Sequence, residues 1–160
     1  FLQARSGSRV TSVVIEKQQA ALLAERIELL LDQVERSTGL DAALAEGEAR
    51  TDSAPLDVPI VEEFRVGAMA LGWDETRNAV VIEAHAQSDD DEAEIPDIGD
   101  DEAPGSDTLR VWLTAMMARA FAERASAVVA AGRPPCPFCS QPLDPAGHVC
   151  PRANGYRRRE

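Results

Sequence analysis

The sequence contains few cysteines, few histidines and few aromatic residues. Its 160 residues include three cysteines and two histidines, and aromatic residues make up 4% of the chain. All three cysteines follow residue 135. Because three is an odd number, they cannot pair into a closed set of disulfides. The start of the sequence also lacks the features of a secretory signal, so we expect a reducing, cytoplasmic compartment.

Several other patterns are absent from the sequence. No apolar run reaches the roughly 20 residues that a membrane-spanning helix needs, so we expect no membrane partner. There is no glycine-rich phosphate loop, no Gly-x-Ser-x-Gly motif and no recognisable pair of catalytic carboxylates. The sequence therefore predicts no reaction and no substrate, and we assign no catalytic residue.

The chain is acidic, with a net charge of −12, but the charge is unevenly distributed. The segment 87–107 carries ten acidic residues and no basic residue. We expect it to be a flexible loop, because it has too few apolar residues to order itself. An acidic body argues against a large nucleic-acid interface. A small contact with nucleic acid or a phosphorylated partner remains an alternative, and it would be made by Arg157, Arg158 and Arg159.

Hydrophobic periodicity predicts five strands and two helices. Thr114 is a good N-cap for the second helix, and Gly132 with the prolines that follow it ends that helix. The predicted strands are Phe1–Ala4, Val10–Ile15, Phe64–Trp73, Ala79–Ala86 and Leu109–Leu113, and the predicted helices run from Glu16 to Gly39 and from Ala115 to Ala131.

The two halves of the sequence resemble each other. The matching segments are Phe1–Arg5 with Val81–His85, Val13–Ile15 with Val111–Leu113, and Leu23–Arg26 with Phe121–Arg124. The last two matches share one offset, which indicates an internal repeat. Each half has two strands followed by a helix, and the second half has one more strand in front. The first half should therefore have a counterpart of that strand upstream of Phe1.

We predict an α+β fold of two β-β-β-α repeats, with the first strand of repeat one missing at the N-terminus. Repeat one covers residues 1–38 and repeat two covers residues 60–132. Together they form a duplicated domain, residues 1–132, in which helices cover an antiparallel sheet, because neither repeat buries enough surface alone.

The tail, residues 133–160, contains every cysteine of the chain. Cys136 and Cys139 form a C-x2-C motif, and the backbone amides of such a turn can donate to the thiolates. His148 and Cys150 lie two residues apart on an extended segment, so both side chains point the same way. Three thiolates and one imidazole favour Zn²⁺ in a tetrahedral structural site with no open position. Free thiols in a terminal loop, and redox or iron chemistry, are the alternatives.

Four motifs extend this interpretation. They are FLQAR at residues 1–5, EKQQ at 16–19, GRPPCPxC at 132–139 and LDPxGHxCPRxNGY at 143–156. With them the chain resembles, over nearly its whole length, an actinobacterial family of conserved proteins of unknown function. The resemblance implies a further N-terminal segment. It also implies neighbouring genes for a histidine-phosphatase-like phosphomutase and a phosphoinositide-kinase-like protein, and hence a shared pathway. It assigns no catalytic residue.

Three further side chains invite interpretation. Glu83 and His85 alternate on one predicted strand and so face the same side. An acid–base role is one interpretation. We favour a solvent-facing or edge histidine, because no nucleophile lies near it in the sequence. Trp112 falls in another predicted strand, and we expect it in the core.

The sequence favours a non-enzymatic, zinc-containing binding or adaptor protein that engages a protein partner, such as the kinase-like or phosphatase-like neighbour. One alternative is an enzyme or small-molecule-binding protein with a site between the repeats. A deep pocket lined by His85, Glu83 or Arg26 would support that alternative. Another alternative is a nucleic-acid-binding zinc protein that uses the C-terminal arginines.

Overall fold

The computed structural model describes residues 1–38, 54–88, 98–99, 107–132, 136–139, 143, 148, 150 and 152. Some predictions therefore fall outside the described residues. They include the helix end at Gly39, most of the acidic segment 87–107, and any contact made by Arg157, Arg158 or Arg159.

All the predicted strands and helices are present, in the predicted order, with boundaries that shift by a few residues. The strands are β1 (Leu2–Ser6), β2 (Arg9–Val14), β3 (Glu62–Asp74), β4 (Ala79–Ala86) and β5 (Thr108–Leu113). The helices are α1 (Lys17–Thr38) and α2 (Ala115–Ala131). The α+β fold class is confirmed.

The strands form one five-stranded sheet in the order β1-β2-β3-β4-β5. The pairs β1–β2, β3–β4 and β4–β5 are antiparallel, whereas β2 and β3 are parallel. The sheet is therefore mixed, and the prediction of an antiparallel sheet was wrong at this one pair. The reason is the connection: α1 carries the chain back along the sheet after β2, so β3 starts at the same end as β2. The equivalence of the two halves stays a prediction.

Polar side chains define both helix starts. The backbone N–H of Glu16 donates to Oε1 of Gln19 at 2.9 Å, which satisfies an amide at the start of α1. The Nε2 of Gln19 donates to the carbonyl oxygens of Val66 and Gly67, each at 3.2 Å, and so links α1 to β3. Thr114 caps α2 as predicted, since its hydroxyl accepts from the N–H of Met117.

The larger core cluster lies between the two helices and one face of β4. Ile27 and Leu31 of α1, Ala118 and Ala122 of α2, and Val80 of β4 are all fully buried. Because alanine side chains are small, the backbone of α2 can lie close to its neighbours. The core is thus built from aliphatic residues on α1 and from small residues on α2.

A smaller core cluster holds the two ends of the sheet together. Its buried members are Val13, Val66 and Ala84, and partly buried residues from β1 and β5, Leu2 and Leu109, pack against it. Since β1 and β5 are the first and last strands in the sheet order, the sheet must curl to bring them to one cluster.

A β-bulge in β3 lies within this curl. The β3–β4 register shifts between Val66 and Ala68, so Gly67 is the extra residue. A Cβ atom at Gly67 would lie 2.8 Å from the Cα of Gln87, which is too close for any side chain. The backbones of Gly67 and Gln87 therefore lie so close together that only glycine fits at position 67. No helix among the described residues is long and apolar enough to cross a membrane.

Two leucines of α1 give a matched test of this core. Leu31 is fully buried, whereas Leu29 is 49% exposed. We expect Leu31→Ala to lower the free energy of unfolding by about 2–5 kcal/mol, because it leaves a cavity. Leu29→Ala should cost less than about 1 kcal/mol. Urea denaturation of both variants measures the difference, and equal losses would contradict the packing described here.

Candidate metal centre

The C-x2-C motif forms a turn that places two thiols on one side. Residues 137–139 adopt the turn, directly after Cys136. The side chains of Cys136 and Cys150 are buried, and those of Cys139 and His148 are half-buried. The structure thus brings together the four residues that the sequence analysis singled out, although eight residues separate Cys139 from His148 in the sequence.

The ligand atoms of these residues lie close enough to share one ion. Each offers one donor atom, and all four donor atoms lie within 4.8 Å of one another. The Sγ atoms of Cys136 and Cys150 are 3.7 Å apart, and the Sγ of Cys139 is 3.4 Å from the Nε2 of His148. Tetrahedral bonds of about 2.3 Å to sulfur and about 2.0–2.1 Å to nitrogen imply separations of about 3.8 Å and about 3.6 Å. The group could therefore hold a metal ion.

The thiol of Cys136 is prepared for metal binding. Burial alone raises its pKa, but hydrogen bonds from the backbone amides of Phe138 and Cys139, and from the side chains of His148 and Cys139, outweigh burial. Together they lower the pKa of Cys136 to about 6. Because the thiolate is the form that binds metals, a group with this pKa is largely ready at neutral pH.

A cation ties the chain beyond Cys150 back to the turn. The Nη1 of Arg152 donates to the carbonyl oxygen of Phe138 at 3.3 Å. Three thiolates and a neutral imidazole carry three negative charges, so a divalent ion would leave a net charge of −1 at the centre. A guanidinium nearby favours that charge. Arg152 was part of the tail motif, but its contact with the turn was not predicted.

Comparison with known proteins adds one finding. A family model described as "Protein of unknown function (DUF3090)" matches residues 1–150. The chain belongs to the DUF3090 family. The matched range includes Cys136, Cys139, His148 and Cys150. No curated protein and no solved structure matches the chain.

This DUF3090 chain has a second polar cluster, on the sheet. Glu83 and His85 of β4 are both buried, so the prediction of a solvent-facing or edge histidine was wrong. The strand is central in the sheet, not at its edge. The Nδ1 of His85 lies 3.0 Å from the Oγ1 of Thr108, and its Nε2 lies 3.5 Å from the Oε2 of Glu83.

The buried carboxylate of Glu83 has an ionic partner. The guanidinium of Arg110 contacts its Oε1, and the backbone N–H of Gly99 donates to the same oxygen at 2.9 Å. Gly99 belongs to the predicted acidic segment, so this part of the segment lies against the sheet. Sequence reasoning missed Arg110. In the sequence, Arg110 stands out only as the one charged residue of an otherwise apolar predicted strand. The structure shows that it pairs with Glu83 across β4 and β5.

Trp112 lies outside the core, contrary to prediction. It is 41% exposed, and the guanidinium carbon of Arg77 lies 4.6 Å from the centre of its ring. Its indole N–H donates to the Oδ2 of Asp74 at 3.1 Å. Hydrogen bonds from Arg77, and then from Trp112, lower the pKa of Asp74. The tryptophan thus joins β5 to the turn after β3.

Two cavities lined by described residues lie near the edges of the sheet. The larger has a volume of about 570 Å³ and the smaller about 100 Å³. His85, Glu83 and Arg26 line neither of them. These two cavities therefore do not meet the condition that we set for the small-molecule alternative.

The Arg110–Glu83 pair can be tested against an exposed pair. Arg110→Met leaves a carboxylate buried without its cation, and we expect a loss of about 3–5 kcal/mol in unfolding free energy. The control is Arg9→Met, since Arg9 and Glu63 are 3.8 Å apart and largely exposed; it should cost about 1 kcal/mol or less. Urea denaturation at neutral pH compares the variants. A loss no larger for Arg110→Met than for Arg9→Met would show that the pair is not needed.

Proposed function

We propose that this DUF3090 chain is a non-enzymatic binding or adaptor protein whose tail is ordered by a structural zinc ion. The observation that carries the proposal is the closed set of four donors, Cys136, Cys139, His148 and Cys150, within 4.8 Å of one another. Four protein ligands leave no position for water or substrate, so the metal would stabilise structure and would not catalyse a reaction.

The donor set argues for zinc over other ions. Three thiolates with one imidazole suit a tetrahedral, borderline-soft cation, and the S···S separation of 3.7 Å and the S···N separation of 3.4 Å agree with zinc bond lengths. A short polar tail has too little apolar surface to fold alone, so the free energy of metal binding would supply its order. A reducing, cytoplasmic compartment, which we also propose, would keep the thiols free to bind metal.

The adaptor part of the proposal rests on what surrounds the metal ligands. Phe138, between the first two cysteines, is 61% exposed although it is a large aromatic residue. A rigid turn that presents an aromatic side chain is a good anchor for a protein partner. The kinase-like and phosphatase-like proteins implied by the family resemblance are the partners we propose to test first.

Metal content is the first test of the zinc site. We expect purified protein to contain about one zinc per chain, because the four donors form one closed site. Its three thiols should react with a thiol reagent only after a chelator removes the ion. Elemental analysis and a chelator titration measure both. Metal-free protein with three reactive thiols would contradict the proposal and favour thiol or redox chemistry instead.

Two substitutions in the turn separate metal binding from partner binding. Cys139→Ser should lose the metal and the order of the tail, while the urea midpoint of the α+β domain stays unchanged. Phe138→Ala should keep one zinc per chain but weaken partner binding by about tenfold or more, as expected for an aromatic anchor. Elemental analysis, denaturation and binding assays with the two proposed partners provide the measurements.

The two outcomes that contradict these expectations differ in meaning. Zinc retained in Cys139→Ser would remove that residue from the ligand set. Unchanged partner binding in Phe138→Ala, with zinc retained, would leave the metal site intact and refute the role of the aromatic side chain.

A further inference from the structure

The three thiols of the proposed zinc site differ in how far solvent reaches them. Cys136 is 4% exposed and Cys150 is 5% exposed, so both are buried. Cys139 is half-buried, and it shares a turn with Pro137 and Phe138, which are exposed. A small solute that approaches the site from the side of this turn therefore meets Cys139 before the other two thiols.

A second thiol lies beside Cys139, close to the same turn. The side chain of Cys139 hydrogen-bonds to the sulfur of Cys136, three residues earlier in the chain. The donor atoms of the group all lie within 4.8 Å of one another, so these two sulfur atoms are no farther apart than that. Two cysteines at this spacing form a disulfide in many redox proteins. The pair is therefore close enough, and suitably spaced, to be joined.

A zinc ion would hold these thiols in a form that oxidants attack. Zinc binds cysteine as the thiolate, and the thiolate is also the nucleophile in reactions with oxidants. Zinc has no redox chemistry of its own, so oxidation of such a site falls on the sulfur atoms. An accessible thiolate next to a second cysteine is the arrangement found in redox-sensing proteins.

We propose that the zinc site is a peroxide-sensitive switch, in which Cys139 reacts first and Cys136 then forms a disulfide with it. This inference rests on the proposed structural zinc and adds a regulation of that same site. The oxidant is a hydroperoxide, and hydrogen peroxide is the probe for it.

The reaction takes two steps. In the first, the thiolate of Cys139 attacks one oxygen of the peroxide, so an S–O bond forms and the O–O bond breaks. In the second, the thiolate of Cys136 attacks the sulfenic sulfur of Cys139, so the disulfide forms and the S–O bond breaks. Each step releases a hydroxide, which takes up a proton and becomes water. The two sulfurs together lose the two electrons that the peroxide gains.

The disulfide would remove two of the four donors. His148 and Cys150 would remain, and two ligands are too few for a structural zinc site. The ion would leave, and the link that it makes between the turn and the later part of the tail would be lost. Because Phe138 lies in this turn, the surface that we assign to a partner would then depend on the redox state. A thiol reductant and added zinc would restore it.

Zinc release and thiol labelling on the full chain test the switch. Elemental analysis gives the zinc content before peroxide is added, and a zinc-binding dye then measures release. We expect hydrogen peroxide to release the ion. After denaturation, iodoacetamide should label Cys150 alone, and it should label Cys136 and Cys139 only once a reductant has been added. Mass spectrometry locates the labels.

Two variants with one donor set separate the reacting thiol from the third one. Cys139→His and Cys150→His each leave two cysteines and two histidines, a set that also binds structural zinc. Cys150→His keeps the reacting pair, so its rate of zinc release should stay within about threefold of that of the unmodified chain. Cys139→His lacks the accessible thiolate, so its release should be at least about tenfold slower. Zinc content is measured in both variants before peroxide is added.

The possible failures have different meanings. Zinc absent before peroxide would refute the zinc site, and with it a switch that acts by releasing zinc. Zinc present and retained during oxidation would refute the switch alone.

The choice of thiols fails separately. Label on Cys136 or Cys139 before reduction, or sulfinic acid on Cys139 without a disulfide, would overturn the proposed pair. Equal release rates for the two histidine variants would overturn the role of Cys139. The labelling uses the unmodified chain, so it decides the pair even where a variant fails to bind zinc.

Discussion

The burial of β4 on both faces is the constraint on which the rest of the structure depends. Toward the helices it presents Val80 and Ile82, which need apolar partners. Toward the other face it presents Glu83 and His85, which need polar ones. The two helices supply the first environment, and Arg110, Thr108 and Gly99 supply the second. Because one face of β4 is apolar and the other carries buried polar groups, apolar residues have to pack on the helix side and polar partners on the opposite side.

The C-terminal group of cysteines and histidine meets a different constraint. The described tail residues have few apolar side chains, and among them Phe138 is exposed. Apolar packing cannot order these residues, so a few strong bonds have to do so. Bonds from converging thiolates to one metal ion would be of that kind. The lowered pKa of Cys136 indicates that the backbone of the turn already favours the charged form. The DUF3090 chain thus combines a domain held by apolar packing with a tail whose order we attribute to coordination.

The strands, the helices and the group of three cysteines and one histidine were predictable because each depends on residues close in sequence. Hydrophobic periodicity marked the strands and helices, and the C-x2-C and H-x-C spacings marked the four donors. The parallel pairing of β2 with β3, the burial of His85 and the position of Trp112 were not predicted. Each depends on what lies opposite in space: the direction of return after α1, the central position of β4, and the stacking of Arg77. A single sequence carries no direct record of such pairs.

The bulge at Gly67 has a consequence for how β3 tolerates changes in length. Val66 and Met69 both pack toward the interior although they are three residues apart, because the extra residue resets the alternation of faces. Gly67 is therefore the residue that absorbs this odd spacing. Deleting it would leave Val66 and Met69 two residues apart, so regular alternation would still hold Met69, Leu71 and Trp73 toward the interior. Deleting Ala70 instead would turn Leu71 and Trp73 toward the opposite face, so β3 accepts the loss of a residue at its bulge but not a short way further along the strand.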